Sequence, residues 1–300
     1  MAEVRVNTRE FESQAEFVGQ GRKCGTPQLN EFQKQRIRHH VSALRQSAFA
    51  MDLGAEIKIP VRFHVIHNGP LGQLTDAQVD DQIKVLQDCF APHNITFSKA
   101  AVTRTDNPEW FDMTMGSAAE RKAKRALGKQ TDRCLNLYSA GLGGSLLGWA
   151  TFPSDYGGDP ERDGVVIVHT SLPGGEPPYD LGRTAVHEVG HWLGLYHTFE
   201  GGCTPPGDEV EDTPFEASAN YGSAKPNRNT CPNNPGNDPT TNYMDYSDDA
   251  ALMEFTPGQE RRVREQVALY RPNLGVEAIP GAVPMTAPPM LPLNLDTGVF

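Results

Sequence analysis

One stretch constrains this chain more than any other: His187-Glu188-Val189-Gly190-His191-Trp192-Leu193-Gly194-Leu195-Tyr196-His197. Residues 180–195 carry the apolar face of a helix that ends at Gly194. Side chains four apart on a helix project from one face, one turn apart, so the imidazoles of His187 and His191 converge. Two ring nitrogens so placed can reach one zinc ion at about 2.0–2.1 Å. Glu188 falls beside such a metal rather than on it, where it can take a proton from water. Gly194 is free to adopt a positive φ and turn the chain, which returns His197 as a third ligand. Three protein ligands leave one position open, the pattern of a catalytic rather than a structural zinc site.

The rest of the chain must supply a scaffold for that helix. Residues 57–67 (IKIPVRFHVIH) alternate apolar and polar as a half-buried strand does. Thr75 followed by Gln78 is a capping box, and Val79, Ile83, Leu86 and Phe90 then fall on one helical face. Further strands are expected at 95–102, 134–139 and 165–169, with a short edge strand at 149–152. Helices are expected at 29–50, 117–127 and 256–270. Residues 200–250 are mostly turn formers, a loop too long for a compact domain unless metals, disulfides or function hold it. After Asn273 the chain is Pro-rich and almost uncharged, the composition of a disordered tail.

Charge narrows the partners. The 300 residues hold 27 Lys and Arg against 38 Asp and Glu, a net charge of -11. So acidic a chain is a poor counter-ion for nucleic acid or anionic lipid, and no apolar run approaches the roughly 18–20 residues of a membrane span. Neither nucleic acid nor membrane is expected as a partner. The N-terminus lacks the apolar core of a signal peptide. Five cysteines, Cys24, Cys89, Cys134, Cys203 and Cys231, leave at least one unpaired.

The eleven-residue stretch is the signature of the metzincin zinc proteases, and Asn242-Tyr243-Met244-Asp245-Tyr246 follows it as their Met-containing turn does. Flanking residues sharpen the likeness. His197-Thr198-Phe199, Gly202-Cys203, Gly207 to Pro214, Cys231 and Phe255 to Gln259 resemble the pappalysin family, in particular its secreted single-domain fungal and bacterial members, over residues 57–275. The resemblance implies an α+β fold: a twisted mixed sheet with backing and active-site helices and a loop-rich C-terminal subdomain. It implies zinc on His187, His191 and His197, Glu188 as general base, Met244 as the floor beneath the metal and Tyr246 as a stabiliser of the oxyanion. Asp208, Asp212 and Thr213 match a stretch that binds calcium in relatives, and Cys203 with Cys231 matches one of two family disulfides. The second family pair aligns with Ser223 and Ala251, so that bridge is expected to be absent.

The activity implied is metal-assisted hydrolysis of peptide bonds in proteins or peptides, by a secreted and monomeric enzyme. A zinc hydrolase of a non-peptide bond and a catalytically silent binding protein on the same scaffold are the alternatives. Arg22-Lys23-Cys24-Gly25-Thr26-Pro27 resembles the cysteine-switch segments of other metzincins, where a thiolate takes the open zinc position. Residues 1–55 then read as an inhibitory pro-segment, 56–275 as the catalytic domain and 276–300 as the tail. Cys89, late in a helix, and Cys134, opening a strand, are left as a second disulfide, which accounts for the odd cysteine.

Overall fold

A computed structural model describes residues 4–6, 9–11, 24–46, 54–142 and 146–275, and the Pro-rich tail lies outside them. A small antiparallel pair, β1 (Val4–Val6) and β2 (Arg9–Phe11), comes first. Helix α1 (Glu31–Gln46) follows, opened by Asn30 and Gln33, each side chain accepting from the other's amide at 2.9 Å. Then come β3 (Ile57–His67), α2 (Asp76–Phe90), β4 (Ile95–Asp106), α3 (Pro108–Phe111), α4 (Ala118–Leu127) and β5 (Leu135–Ala140). The edge strand β6 (Gly148–Ala150), β7 (Val165–Val168), α5 (Arg183–Trp192) and α6 (Pro257–Tyr270) complete the order.

The large strands form one five-stranded sheet in the order β4-β3-β5-β7-β6. All neighbours are parallel except β6, which runs antiparallel to β7 along the edge. The pleat sends alternate residues to opposite faces. Val165 and Ile167 therefore join Leu135, Leu137 and the apolar stripe of α2 in the main core, on the side of α5. Val166 and Val168 join Tyr138, Ala140 and Trp149 in a second core beneath α4. The fold is the mixed-sheet α+β architecture expected, with the site helix α5 packed against β6 and β7.

Two expectations are corrected. α5 begins at Arg183 rather than at Asp180. Its first amide is satisfied from far along the chain, where Asp249 accepts from Arg183 N at 3.1 Å and also from Leu181 N, just before the helix, at 3.0 Å. Cys89 and Cys134 are not bridged. Cys89 lies at the end of α2 against the Arg183 guanidinium, whereas Cys134 enters β5 near Gln130, 3.8 Å away, so each thiol faces a different partner. In the long loop, the Asp212 carboxylate accepts from Thr256 Oγ1 at 2.6 Å and Gly258 N at 2.8 Å, serving the N-terminus of α6. Asp208 and Thr213 instead bond to each other at 2.7 Å.

The Cys203–Cys231 disulfide is present, closing a 28-residue span of the long loop. Arg228 ties the same loop from inside, pairing with Asp238 at 2.6 Å and with Glu216.

Candidate active site

α5 carries His187, Glu188 and His191 on its buried length and stops where it must for His197 to return. Gly194 has φ +104°, and a side chain there would strike Gln266 on α6, so both backbone and packing demand glycine. Behind the helix, the Met-turn approaches so closely that any β-carbon on Gly190 would collide with Met244 Sδ. Met244 is fully buried there.

The histidines are aimed by carbonyls. His187 Nδ1 lies 2.7 Å from the Tyr243 carbonyl and His191 Nδ1 lies 2.7 Å from the Leu195 carbonyl. A carbonyl only accepts, so each Nδ1 carries the proton and each Nε2 presents a lone pair. Those lone pairs face each other. His191 Nε2 is 3.2 Å from His187 Nε2 and 3.0 Å from His197 Nε2. Burial holds His191 down to about 4, so its ring stays neutral, the form that a metal binds. The lone pairs of His187 and His191 are buried and face each other with His197 Nε2 beside them, so the donor set fits a metal ion of the kind that imidazole favours.

A fourth donor completes the cluster. Cys24 Sγ and one ring nitrogen each from His187, His191 and His197 all lie within 4.8 Å of one another, and all four residues are buried. Sulfur with three imidazole nitrogens is a tetrahedral zinc-type set. Burial and the Glu188 carboxylate push the Cys24 thiol well up, and a cation in the cluster would act in the opposite sense.

The segment bearing Cys24 lies along the open edge of β6. Cys24 bridges to Gly148 in parallel fashion, and Gly25 N donates to the Gly148 carbonyl at 2.8 Å. Thr26 adds contacts that sequence reasoning missed. Its hydroxyl donates to Glu188 Oε2 at 2.9 Å and accepts from Ala150 N at 2.9 Å. A threonine two residues past a cysteine carries no signal of this in the sequence. The edge itself is braced from behind, where Trp149 Nε1 donates to Glu120 at 2.8 Å and Glu120 pairs with the buried Lys124 at 2.8 Å.

Tyr246 also stands at the cluster, its hydroxyl 3.1 Å from His197 Nε2. Burial, with Cys24 and Glu188 nearby, pushes this phenol well above its ordinary range, so it remains a hydrogen-bond donor. The sequence-derived set of three histidines, Glu188, Tyr246, Met244 and Cys24 is thus gathered in one place. Asp208, Asp212, Thr213, Cys89 and Cys134 are not part of it.

Residues 149–268 match the model of the pregnancy-associated plasma protein-A family of peptidases. An extracellular metalloprotease of Podospora anserina is 42% identical over 83% of this chain and 90% of its own length. The chain belongs to the pappalysin family of metalloproteases. Another pappalysin relative, an extracellular metalloprotease of Verticillium alfalfae, is 46% identical over 72% of this chain and 78% of that one. Among solved structures, a Tannerella forsythia promirolysin variant is 30% identical with a TM-score of 0.72, covering 85% of this chain and 97% of that one. Mature mirolysin with a cleaved peptide is 32% identical with a TM-score of 0.62, covering 74% of this chain and 98% of that one. The chain is therefore a metalloendopeptidase, a hydrolase of peptide bonds, and its family implies a catalytic metal. Among the described residues, no helix is long and apolar enough to cross a membrane.

Proposed function

We propose that this pappalysin is a secreted zinc endopeptidase, held latent in the intact chain by Cys24. His187, His191 and His197 hold the zinc, Glu188 is the general base and Tyr246 the oxyanion donor. The observation that carries the reading is the four-donor cluster, in which the thiol of the N-terminal segment joins the three imidazoles. Two further findings favour it. The promirolysin structure spans 85% of this chain where mature mirolysin spans 74%, so the likeness extends further with the pro-form. Relatives are named extracellular, and a disulfide suits an oxidising compartment.

Zinc on these ligands supplies Lewis acidity, acidifying water and polarising the scissile carbonyl. The chain's own residues do the rest. A peptide lies along the exposed edge of β6, where Gly148 O and Ala150 N now serve the N-terminal segment. Glu188, once Thr26 leaves it, accepts a proton from the attacking water and passes it to the departing amine. The Tyr246 hydroxyl donates to the carbonyl oxygen as it gains charge. In the intact chain the Cys24 thiol stands among the three imidazoles that would hold the zinc and Thr26 occupies the base, so neither is free for a substrate.

The test compares initial rates on one quenched peptide. Intact chain should be nearly inactive, and chain cleaved between residues 47 and 53, or carrying Cys24→Ala, should be active. Equal rates for intact chain, cleaved chain and the Cys24→Ala variant would overturn latency while leaving the peptidase assignment standing. Purified protein should hold one zinc per chain, and His197→Ala should lose it on dialysis.

A further inference from the structure

Helix α4 buries Glu120, Ala123 and Lys124, so two of these three buried side chains are charged. Lys124 pairs with Glu120 at 2.8 Å, and their side chains are only 1% and 4% exposed. Burial opposes the charge on Glu120, but Lys124 and the bonds from Trp149 and Gly116 outweigh it and lower the carboxyl, so the group is ionised. Its oxygens accept from the Trp149 indole at 2.8 Å and from Gly116 N at 2.6 Å. Lys124 Nζ also donates to the Arg162 carbonyl at 2.9 Å, on the turn that leads into β7. Trp149 is the middle residue of the three-residue edge strand β6.

A buried ion pair adds little to stability, because desolvating two charges offsets their attraction, and apolar side chains of like volume often do as well or better. What apolar side chains cannot do is fix the direction of an N–H group. Glu120 fixes that of the indole, and through it the middle of β6. The two neighbours of Trp149 supply the open-edge groups. Gly148 O accepts from Gly25 N at 2.8 Å, and Ala150 N donates to Thr26 Oγ1 at 2.9 Å. Side chain and peptide planes of a strand residue turn together, so a fixed indole keeps both groups directed to the open edge. The tolerance is small. A β-carbon on Gly148 would meet the Val166 carbonyl at 2.6 Å and Glu188 Cγ at 3.0 Å, so the strand packs closely on the base. Just beyond β6, Thr151 Oγ1 donates to Asp163 at 2.9 Å, so the turn that Lys124 reaches also holds the end of the strand.

We propose that the buried Glu120–Lys124 pair is a positioning device for peptide binding, acting through Trp149 to hold Gly148 O and Ala150 N where an extended substrate pairs with them. The pair touches neither substrate nor metal. Its effect falls on the binding of peptides long enough to run along the edge, and not on the bond-breaking groups, which α5 and the Met-turn carry. The proposal rests on the reading that substrate lies along β6.

The test uses full-length chain cleaved between residues 47 and 53 and freed of the N-terminal segment. Two quenched peptides share one cleavable bond. The long one extends four residues to either side, enough to pair along the edge, and the short one extends a single residue. Wild type should show the lower KM on the long peptide. Glu120→Met/Lys124→Met replaces the pair by apolar side chains of similar volume, a change that costs a fold little. The double variant should keep its zinc and its melting temperature. Its kcat should stay within about twofold on both peptides, while KM rises about tenfold on the long peptide alone, the worth of one hydrogen bond. Trp149→Phe removes only the indole donor and should raise the same KM, which decides the matter if the double variant is unstable. An unchanged long-peptide KM in Trp149→Phe, or a rise that the short peptide shares, would overturn the positioning role alone. Equal KM values for the two peptides in wild type would instead sink the reading that substrate pairs along β6.

Discussion

The Thr26 hydroxyl donates to Glu188 Oε2 at 2.9 Å across 162 residues of sequence, while accepting from Ala150 N on the edge strand. The N-terminal segment thereby engages both parts of the machinery, Cys24 at the metal cluster and Thr26 at the base. Hydrogen bonds to charged groups are worth about 1.5–3 kcal/mol. Thr26→Val keeps the shape and removes the donor, so it should shift the intact chain towards its open form by roughly tenfold or more. The background rate of uncleaved Thr26→Val on a short peptide should rise above wild type and stay below Cys24→Ala. A rate indistinguishable from wild type, in a preparation where Cys24→Ala is active, would show that the hydroxyl is no brake.

Glu188→Gln separates base from ligand. The side chain lies beside the four-donor cluster and not in it. The activated variant should keep a full complement of zinc and lose about 10²–10⁴-fold in kcat. Metal analysis and turnover on the same sample decide the matter. Turnover within a few-fold of wild type would remove Glu188 from the mechanism, and zinc loss would make it a ligand.

The active site could be read from the sequence because its spacing is local. Four residues are one helical turn, so His187 and His191 meet by helix geometry alone, and Gly194 announces the turn that brings back His197. Strands were legible too, 57–67 as an alternating run and 165–168 as a β-branched one, although the strand expected to end at Val102 runs on to Asp106. What stayed hidden depends on pairs far apart in the chain. Lys34 finds Glu200 over 166 residues, and Asp249 caps α5 over 66. Asp212 sits among turn formers, and that its oxygens serve the start of α6 follows only from the fold, which brings the two near. Counting cysteines suggested a Cys89–Cys134 bridge, but arithmetic carries no information about which neighbours the two thiols meet.

Acid stability should report on His64. This histidine sits in β3 with 1% exposure, its Nδ1 2.8 Å from Thr103 Oγ1 and its Nε2 3.0 Å from Asn136 Oδ1. Burial lowers it to about 4, with Arg62 and Lys129 adding to the effect and the Asn136 bond opposing it. The unfolded chain takes up the proton near pH 6.5 and the folded one near 4, so the unfolded state binds more protons in between. Stability from this group is complete above about pH 6.5 and falls by about 1.4 kcal/mol per pH unit towards pH 4. His64→Gln should be less stable at pH 7.5, yet lose less on acidification than wild type. Urea midpoints at pH 7.5, 6.0 and 5.0 measure this. Parallel losses in the two proteins would mean that His64 titrates normally in the fold.

The pair formed by Arg271 and Asp163 should matter more for stability than any surface ion pair. Arg271 Nη2 donates to Asp163 Oδ1 at 2.7 Å and Nη1 to Oδ2 at 3.1 Å, with side chains 2% and 0% exposed. Trp192, the last residue of α5, donates its indole N–H to the same carboxylate at 3.0 Å, and the guanidinium lies 3.9 Å over its ring. The network joins the end of the metal-site helix to the residue that closes α6 and to the approach to β7. Removing one member leaves a buried charge without its counter-ion, which costs about 3–5 kcal/mol. Arg271→Met should therefore lower Tm by several degrees, although it alters no residue of the metal cluster. Asp163→Asn should cost comparably, and the double variant should cost less than the two single losses added, because each strands the other's partner. Additive losses would mean that the two charges do not depend on each other. A Tm drop without zinc loss at 25 °C would place the effect in the scaffold rather than at the metal.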